Sequence, residues 1–270
     1  MFNGLYGFLL DHSDIIAVIG NIATTITIIF LLLEYMFTRR TYRYNCEWQE
    51  KNKAAELAAL YKNEILDYNF FISLLFQRLG IIGLLKNTYS SELKLFTKSE
   101  LEDMLSKEDI ELIHEKLMDP KNYSYYLECQ SFIPAKSELR YLIPEERILK
   151  QVENDSKQAD QMKRYIMNRQ YMKVVDHLLN SLEYFAMYFN TGVADERVVY
   201  QSLHQTYLKV VRAMYFEIAR RNDNPKDMYY TNIINLYVKW SERDKKMKEK
   251  IQKQNLRVVQ KARRIKKGAA

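Results

Sequence analysis

The stretch Ile15 to Leu33, IIAVIGNIATTITIIFLLL, is nineteen residues long and carries no charge between Asp14 and Glu34. A helix of that length and composition crosses the hydrocarbon core of a bilayer, and few other structures accommodate it. Gly20, Asn21, Thr24, Thr25 and Thr27 dilute its apolarity. Thr hydroxyls bond back to helix carbonyls at modest cost. Small and polar residues also mark a face on which a second spanning helix packs. Gly20, Asn21, Thr24 and Thr25 are therefore the candidate oligomer or pore face. A cleaved signal peptide fits less well, because the leader (residues 1–14) is acidic and the basic residues follow the apolar run. Asp11 and Asp14 precede the span, whereas Arg39, Arg40 and Arg43 follow it. The positive-inside rule then puts the N-terminus outside and the rest of the chain in the cytoplasm, across an inner or cytoplasmic membrane. Tyr35, Tyr42, Tyr44 and Trp48 gather at the exit point, where headgroup depth suits amphipathic rings.

The remainder reads as all-α. Only 7 Gly and 4 Pro interrupt 270 residues, which favours long helices over turn-rich sheet. The expected order is a transmembrane helix (15–36), a long juxtamembrane helix (37–86), short helices and loops (87–144), a helical bundle (145–240) and a basic helical tail (241–270). Leu57, Leu60, Tyr61, Ile65, Leu66, Tyr68, Ile72, Leu75 and Phe76 recur at helical spacing, with Gly80 and Gly83 as stops. The polar stretch Gln49 to Lys53 is a candidate joint in that helix. Thr97-x-x-Glu100 reads as a capping box and Ser106-x-x-Asp109 as an acidic first turn. Between Pro120 and Pro134, YSYYLECQSFI admits a small strand pair, although short helices are favoured. Pro144-Glu-Glu opens the bundle's first helix, which Gly192 closes. Asp195 starts the next, with Val198, Val199, Leu203, Tyr207, Val210, Val211, Met214 and Ile218 on its inner side. The last helix is expected near Lys226, with Tyr229, Tyr230, Ile233, Ile234, Leu236, Tyr237 and Trp240 on it.

The charge is unevenly spread. From Ser241 onward there are twelve Lys and Arg against three acids, so the first 240 residues carry a net of −2 although the chain totals +7. Met247, Ile251, Val258, Ala262 and Ile265 form one stripe in that tail, flanked by Lys261, Arg263, Arg264, Lys266 and Lys267. The stripe fits an anionic leaflet, a coiled coil or a solvated helix end. Nucleic acid is the less favoured partner, because no aromatic residue is interleaved. Two cysteines, Cys46 and Cys129, make no disulfide framework and suit a reducing compartment.

No sequence motif declares a reaction. GxSxG, HExxH, a glycine-rich phosphate loop and Arg-x4-His are all missing, and no metal or cofactor set is expected. The strongest candidate chemistry lies in LLNSLEYFAMYFNTGVADE. Asn180 and Glu183 sit one turn apart there, with His177 one turn earlier, so His177 is a candidate base and Glu183 its orienting partner or a metal ligand. The competing reading makes Asn180 and Glu183 structural, bonded to neighbouring helices through groups such as Arg212, Arg220 or Arg221. It is preferred, because one helix supplies too few reactive groups.

HLLNSLEYFAMYFNTGVADERVV, MYFEIARRN and YYTNIINLYVKW together resemble the C-terminal signature of domain of unknown function 4760. The resemblance covers His177 to Trp240, on Leu179, Asn180, Glu183, Gly192, Asp195 and Trp240. It implies a membrane helix, a linker and a helical domain, and no established activity. The middle section and basic tail are longer here than that resemblance leads one to expect. The combined expectation is a membrane-tethered interaction or sensing module that contacts lipid and either itself or a protein partner. Its layout suggests bacterial stress or phage defence. The alternatives are a membrane-anchored hydrolase or ribonuclease, or an oligomeric pore.

Overall fold

The computed structural model describes residues 13–133 and 156–268. The leader before residue 13 and the helix start expected at Pro144 lie outside them. Every element among the described residues is helical: α1 (Ser13–Leu60), a π-helical turn (Tyr61–Ile65), α2 (Leu66–Arg78), α3 (Ile81–Leu84), α4 (Lys86–Ser90), α5 (Lys98–Met104), α6 (Lys107–Met118), a 3-10 turn (Pro120–Asn122), α7 (Tyr123–Gln130), α8 (Ser156–Asn190), α9 (Glu196–Arg221) and α10 (Thr231–Gly268). The YSYYLECQ segment is thus helix α7 rather than a strand pair. Contacts divide the chain into two units, Met1–Lys51 and Asn52–Ala270.

In the first unit, α1 holds one stretch long and apolar enough to cross a membrane. Its large side chains have no protein cover, as Ile26 (49% exposed) and Phe30 (68%) illustrate. The hydroxyls of Thr24, Thr25 and Thr27 donate to the carbonyls of Gly20, Asn21 and Ala23, each at 2.8 Å. The polar side chains of this helix therefore lean on their own backbone.

The second unit is built on one apolar core. Gln49 to Lys53 is helical, and the irregularity falls at Tyr61–Ile65 instead. The reason is the spacing of buried residues. Leu57, Tyr61 and Ile65 are two successive four-residue steps, which drift off the seam of a 3.6-residue helix. A wider π turn absorbs the drift and returns Tyr68, Ile72 and Leu75 to the core. Gly80 then breaks the chain with a left-handed φ of +67°, whereas Gly83 lies inside α3. The short helices of the middle third belong to this same core: α5 packs on α9, and α6 and α7 pack on α8. Their Leu101, Ile113, Leu117 and Tyr126 are buried with the α8 and α9 residues.

Trp240 on α10 is fully buried, with the rings of Tyr207, Tyr200, Phe189 and Phe185 at 5.1, 5.5, 6.1 and 6.4 Å. Offset and edge-on aromatic packing of this kind joins α8, α9 and α10. Two assignments change. Val198, expected on the inner side of α9, is 46% exposed; and α10 starts at Thr231, not near Lys226, so Tyr229 and Tyr230 lie outside it.

Gly192 ends α8 at φ +74°, and an added Cβ would meet no atom within 4 Å. Gly192→Ala should therefore cost only the left-handed backbone penalty, about 1 kcal/mol. Gly83→Ala, in a helix with open space around it, should cost nothing or stabilise slightly. Denaturant unfolding of the two variants checks this; an equal loss in both would contradict the conformational reading.

Candidate functional site

Helix α10 begins with a problem. Its first amides need acceptors, yet the residue before it is Tyr230, which has no capping oxygen within reach of them and sits at φ +60°. Glu183, about two turns before the end of α8, solves it from across the bundle. Its carboxylate accepts from the backbone N–H of Asn232 at 3.1 Å, the backbone N–H of Ile233 at 3.0 Å and the Asn232 side-chain amide at 2.8 Å. A carboxylate at a helix N-terminus also meets the positive end of the helix dipole. Asn190 reinforces the joint by donating to the Asn232 carbonyl at 2.9 Å. The Tyr207 hydroxyl donates to the Ile233 carbonyl at 3.0 Å. Burial first, then the neighbouring Tyr61 phenol and Glu183 carboxylate, push the Tyr207 hydroxyl far above the usual phenol range.

A second carboxylate, Glu100 in the first turn of α5, binds backbone amides of the segment that leads into that helix. Thr97 caps that helix, accepting from the Glu100 N–H at 3.3 Å. Glu100 does not close the expected reciprocal box onto Thr97. It reaches past it to the N–H groups of Lys94, Leu95 and Phe96 at 2.9, 3.1 and 2.7 Å, and accepts from the Tyr215 hydroxyl at 3.0 Å. Phe96 is the other non-glycine residue with positive φ, at +53°. Both strained positions are thus held beside a carboxylate that binds backbone amides. Asn222 connects them. It is fully buried, donates to the carbonyls of Phe96 (3.0 Å) and Tyr229 (3.3 Å), and accepts from the Tyr229 N–H (2.8 Å).

The residues singled out from sequence separate in space. His177 turns to the π turn and α2: Nε2 lies 3.8 Å from Glu64 and the ring 4.5 Å from that of Tyr68. Glu183 turns to α10. Six helical positions place the two about 120° apart, which is why they do not converge. Asn180 is exposed and takes no part in the Glu183 joint. The arginines considered as partners are engaged elsewhere. Arg212 donates to the Tyr89 carbonyl and the Tyr237 hydroxyl, Arg220 pairs with Glu217, and Arg221 with Asp176. Asp195 caps α9 by accepting from the Arg197 N–H at 2.9 Å. Trp240 donates to Glu196 at 3.3 Å. The side chains of Lys261, Arg263, Arg264, Lys266 and Lys267 fall outside those described.

Sequence reading missed two polar groups. Glu217 on α9 is almost fully buried, accepting from Tyr171 and Arg220 at 2.8 Å each. Beside it lies an open cleft of about 560 Å³ whose lining includes His114, Arg164, Asn168, Tyr171 and Arg220. Partial burial, then the Arg220 charge, hold the His114 imidazole below its usual range. The Arg220 charge is offset by Glu217, and Arg164 also lines a hollow with Glu115, Asp119 and Asp160. The cleft is therefore of mixed charge. Its residues come from three helices far apart in sequence, so no local motif could have announced it. Among the described residues, no three of His, Cys, Asp and Glu cluster as a metal site.

Residues 106–240 match the family model described as Domain of unknown function (DUF4760). The chain belongs to the DUF4760 family. No curated protein and no solved structure matches it. The matched DUF4760 segment begins at the Ser106 cap of α6 and ends at Trp240. Both partners of the Glu183–α10 joint lie within it.

Because Glu183 holds three donors and Asn180 faces solvent, the two should differ sharply on truncation. Glu183→Ala should destabilise the domain by about 2 kcal/mol, and Glu183→Gln, which keeps an acceptor, by less. Asn180→Ala should stay within about 0.5 kcal/mol of the parent. Chemical unfolding in detergent measures all three; equal losses at both positions would contradict the assignment.

Proposed function

We propose that the chain is a single-pass membrane protein, N-terminus outside, whose cytoplasmic helical domain acts as an interaction module. The observation that carries this reading is the uncharged stretch from Ile15 to Leu33, apolar, helical and without protein cover, followed by Arg39, Arg40 and Arg43. The free thiols of Cys46 and Cys129 are compatible with a reducing side. The commitment of Glu183 to an N-terminus and of His177 to Glu64 favours a structural role for this part of α8 over a catalytic one. Self-association is assigned to the Gly20–Thr24 side of α1. Gly20 presents no side chain, nothing lies within 4 Å of where one would be, and the Thr24 hydroxyl folds back onto its carbonyl.

Thiol labelling tests placement directly. Burial pushes the Cys129 thiol up to about 11 and leaves it inaccessible, so Cys46 reports alone. A membrane-impermeant maleimide should miss Cys46 in intact cells and label it after permeabilisation. Ser13→Cys in a Cys46→Ser background should show the reverse. Labelling of Cys46 from outside would invert the orientation, and release of the chain by alkaline carbonate would remove the span.

A further inference from the structure

Helix α10 outlasts the domain it closes. Asp244 is its last buried side chain among those described, placed 3.7 Å from His204 and 2.6 Å from the Lys248 ammonium. From Lys245 to Arg257 every side chain is exposed, although the helix continues to Gly268. This exposed length to Arg257, roughly 20 Å at 1.5 Å per residue, is not polar all round. Met247 and Ile251 are 42% and 50% exposed, and Ile251 and Leu256 line a shallow apolar groove with Lys248. At 100° per residue, Met247, Ile251, Val258, Ala262 and Ile265 fall within an arc of about 60°. Leu256 and Val259 lie off it. The rest of the surface is basic: Lys245 to Lys267 contains eleven Lys and Arg against Glu249 alone.

We infer that this extension of α10 is a second membrane contact, lying along an anionic lipid surface with the Met247–Ile251 stripe inserted and the cations over the headgroups. A narrow apolar stripe under a dense cationic face is the pattern of interfacial helices. The charge selects this occupant over a second copy. Lys248, Lys261 and Lys266 flank the stripe, so two such helices packed seam to seam would set like charges together. It also selects it over a nucleic acid, for which the extension offers no aromatic stacking surface. The inference rests on the tethered reading above, because α1 would keep the extension at high local concentration beside lipid.

The test uses the full chain reconstituted in vesicles of phosphatidylcholine alone, or of phosphatidylcholine mixed with phosphatidylglycerol. An environment-sensitive fluorophore is placed at Ile251→Cys or at Lys253→Cys, in a Cys46→Ser background. The two positions lie on opposite sides of α10, and both are exposed, so folding is not at risk. In the anionic vesicles the Ile251 label should shift to the blue and be quenched by brominated lipid, while the Lys253 label should not. Neutral vesicles or molar salt should abolish the effect. Equal spectra in both vesicle types, with the chain still floating with neutral lipid, would overturn the second contact and leave the tether standing. Loss of flotation with neutral lipid would overturn the tether alone; the Ile251 label on added anionic vesicles then decides the extension. Shielding that grows with protein density in neutral vesicles, or appears on adding an oligonucleotide, would also overturn it.

Discussion

The placement of α10 depends on one carboxylate. A helix that starts at Thr231 after a left-handed tyrosine has no local acceptor for its first amides, so those groups must find one in the bundle. Glu183 supplies it from α8, and because it binds two successive backbone amides it fixes the start of α10 along α8 as well as its distance. That start sets where the following turns fall. Ile233, Leu236, Tyr237 and Trp240 are buried at successive turns, and Trp240 enters the ring cluster of Phe185, Phe189, Tyr200 and Tyr207. The apolar packing supplies most of the stability; the carboxylate supplies the register.

The second carboxylate, Glu100, treats the strained Phe96 segment in the same way, and Asn222 links the two sites through Phe96 and Tyr229. The turn between α9 and α10 is therefore tied at both ends to groups from α5 and α8. A chain with few glycines can hold such turns only by binding their amides, since Phe96 and Tyr230 occupy backbone conformations that glycine would adopt freely.

What could be read from the sequence was local. Helical spacing marked the buried faces of α2 and α9. Gly80 and Gly192 marked stops through their backbone freedom, and Thr97, Ser106 and Asp195 marked starts because a cap acts within three residues. What could not be read depended on distant partners. Asn232 is 49 residues from Glu183, so the regular three-residue spacing of His177, Asn180 and Glu183 along one helix gives the wrong grouping. The π turn at Tyr61 was hidden because four-residue steps look helical until their drift is added up. The apolar pattern runs back to Tyr229 and Tyr230, ahead of the first helical residue Thr231, so periodicity sets the start of α10 too early.

Protection of the Asn232 and Ile233 amides against hydrogen exchange, in the detergent-solubilised full chain, tests the central claim most directly. The first turn of an uncapped helix exchanges freely. If Glu183 holds α10 in place, both amides should exchange as slowly as those in the buried part of that helix. Exchange at the rate of an open first turn, with Glu183 intact, would contradict it.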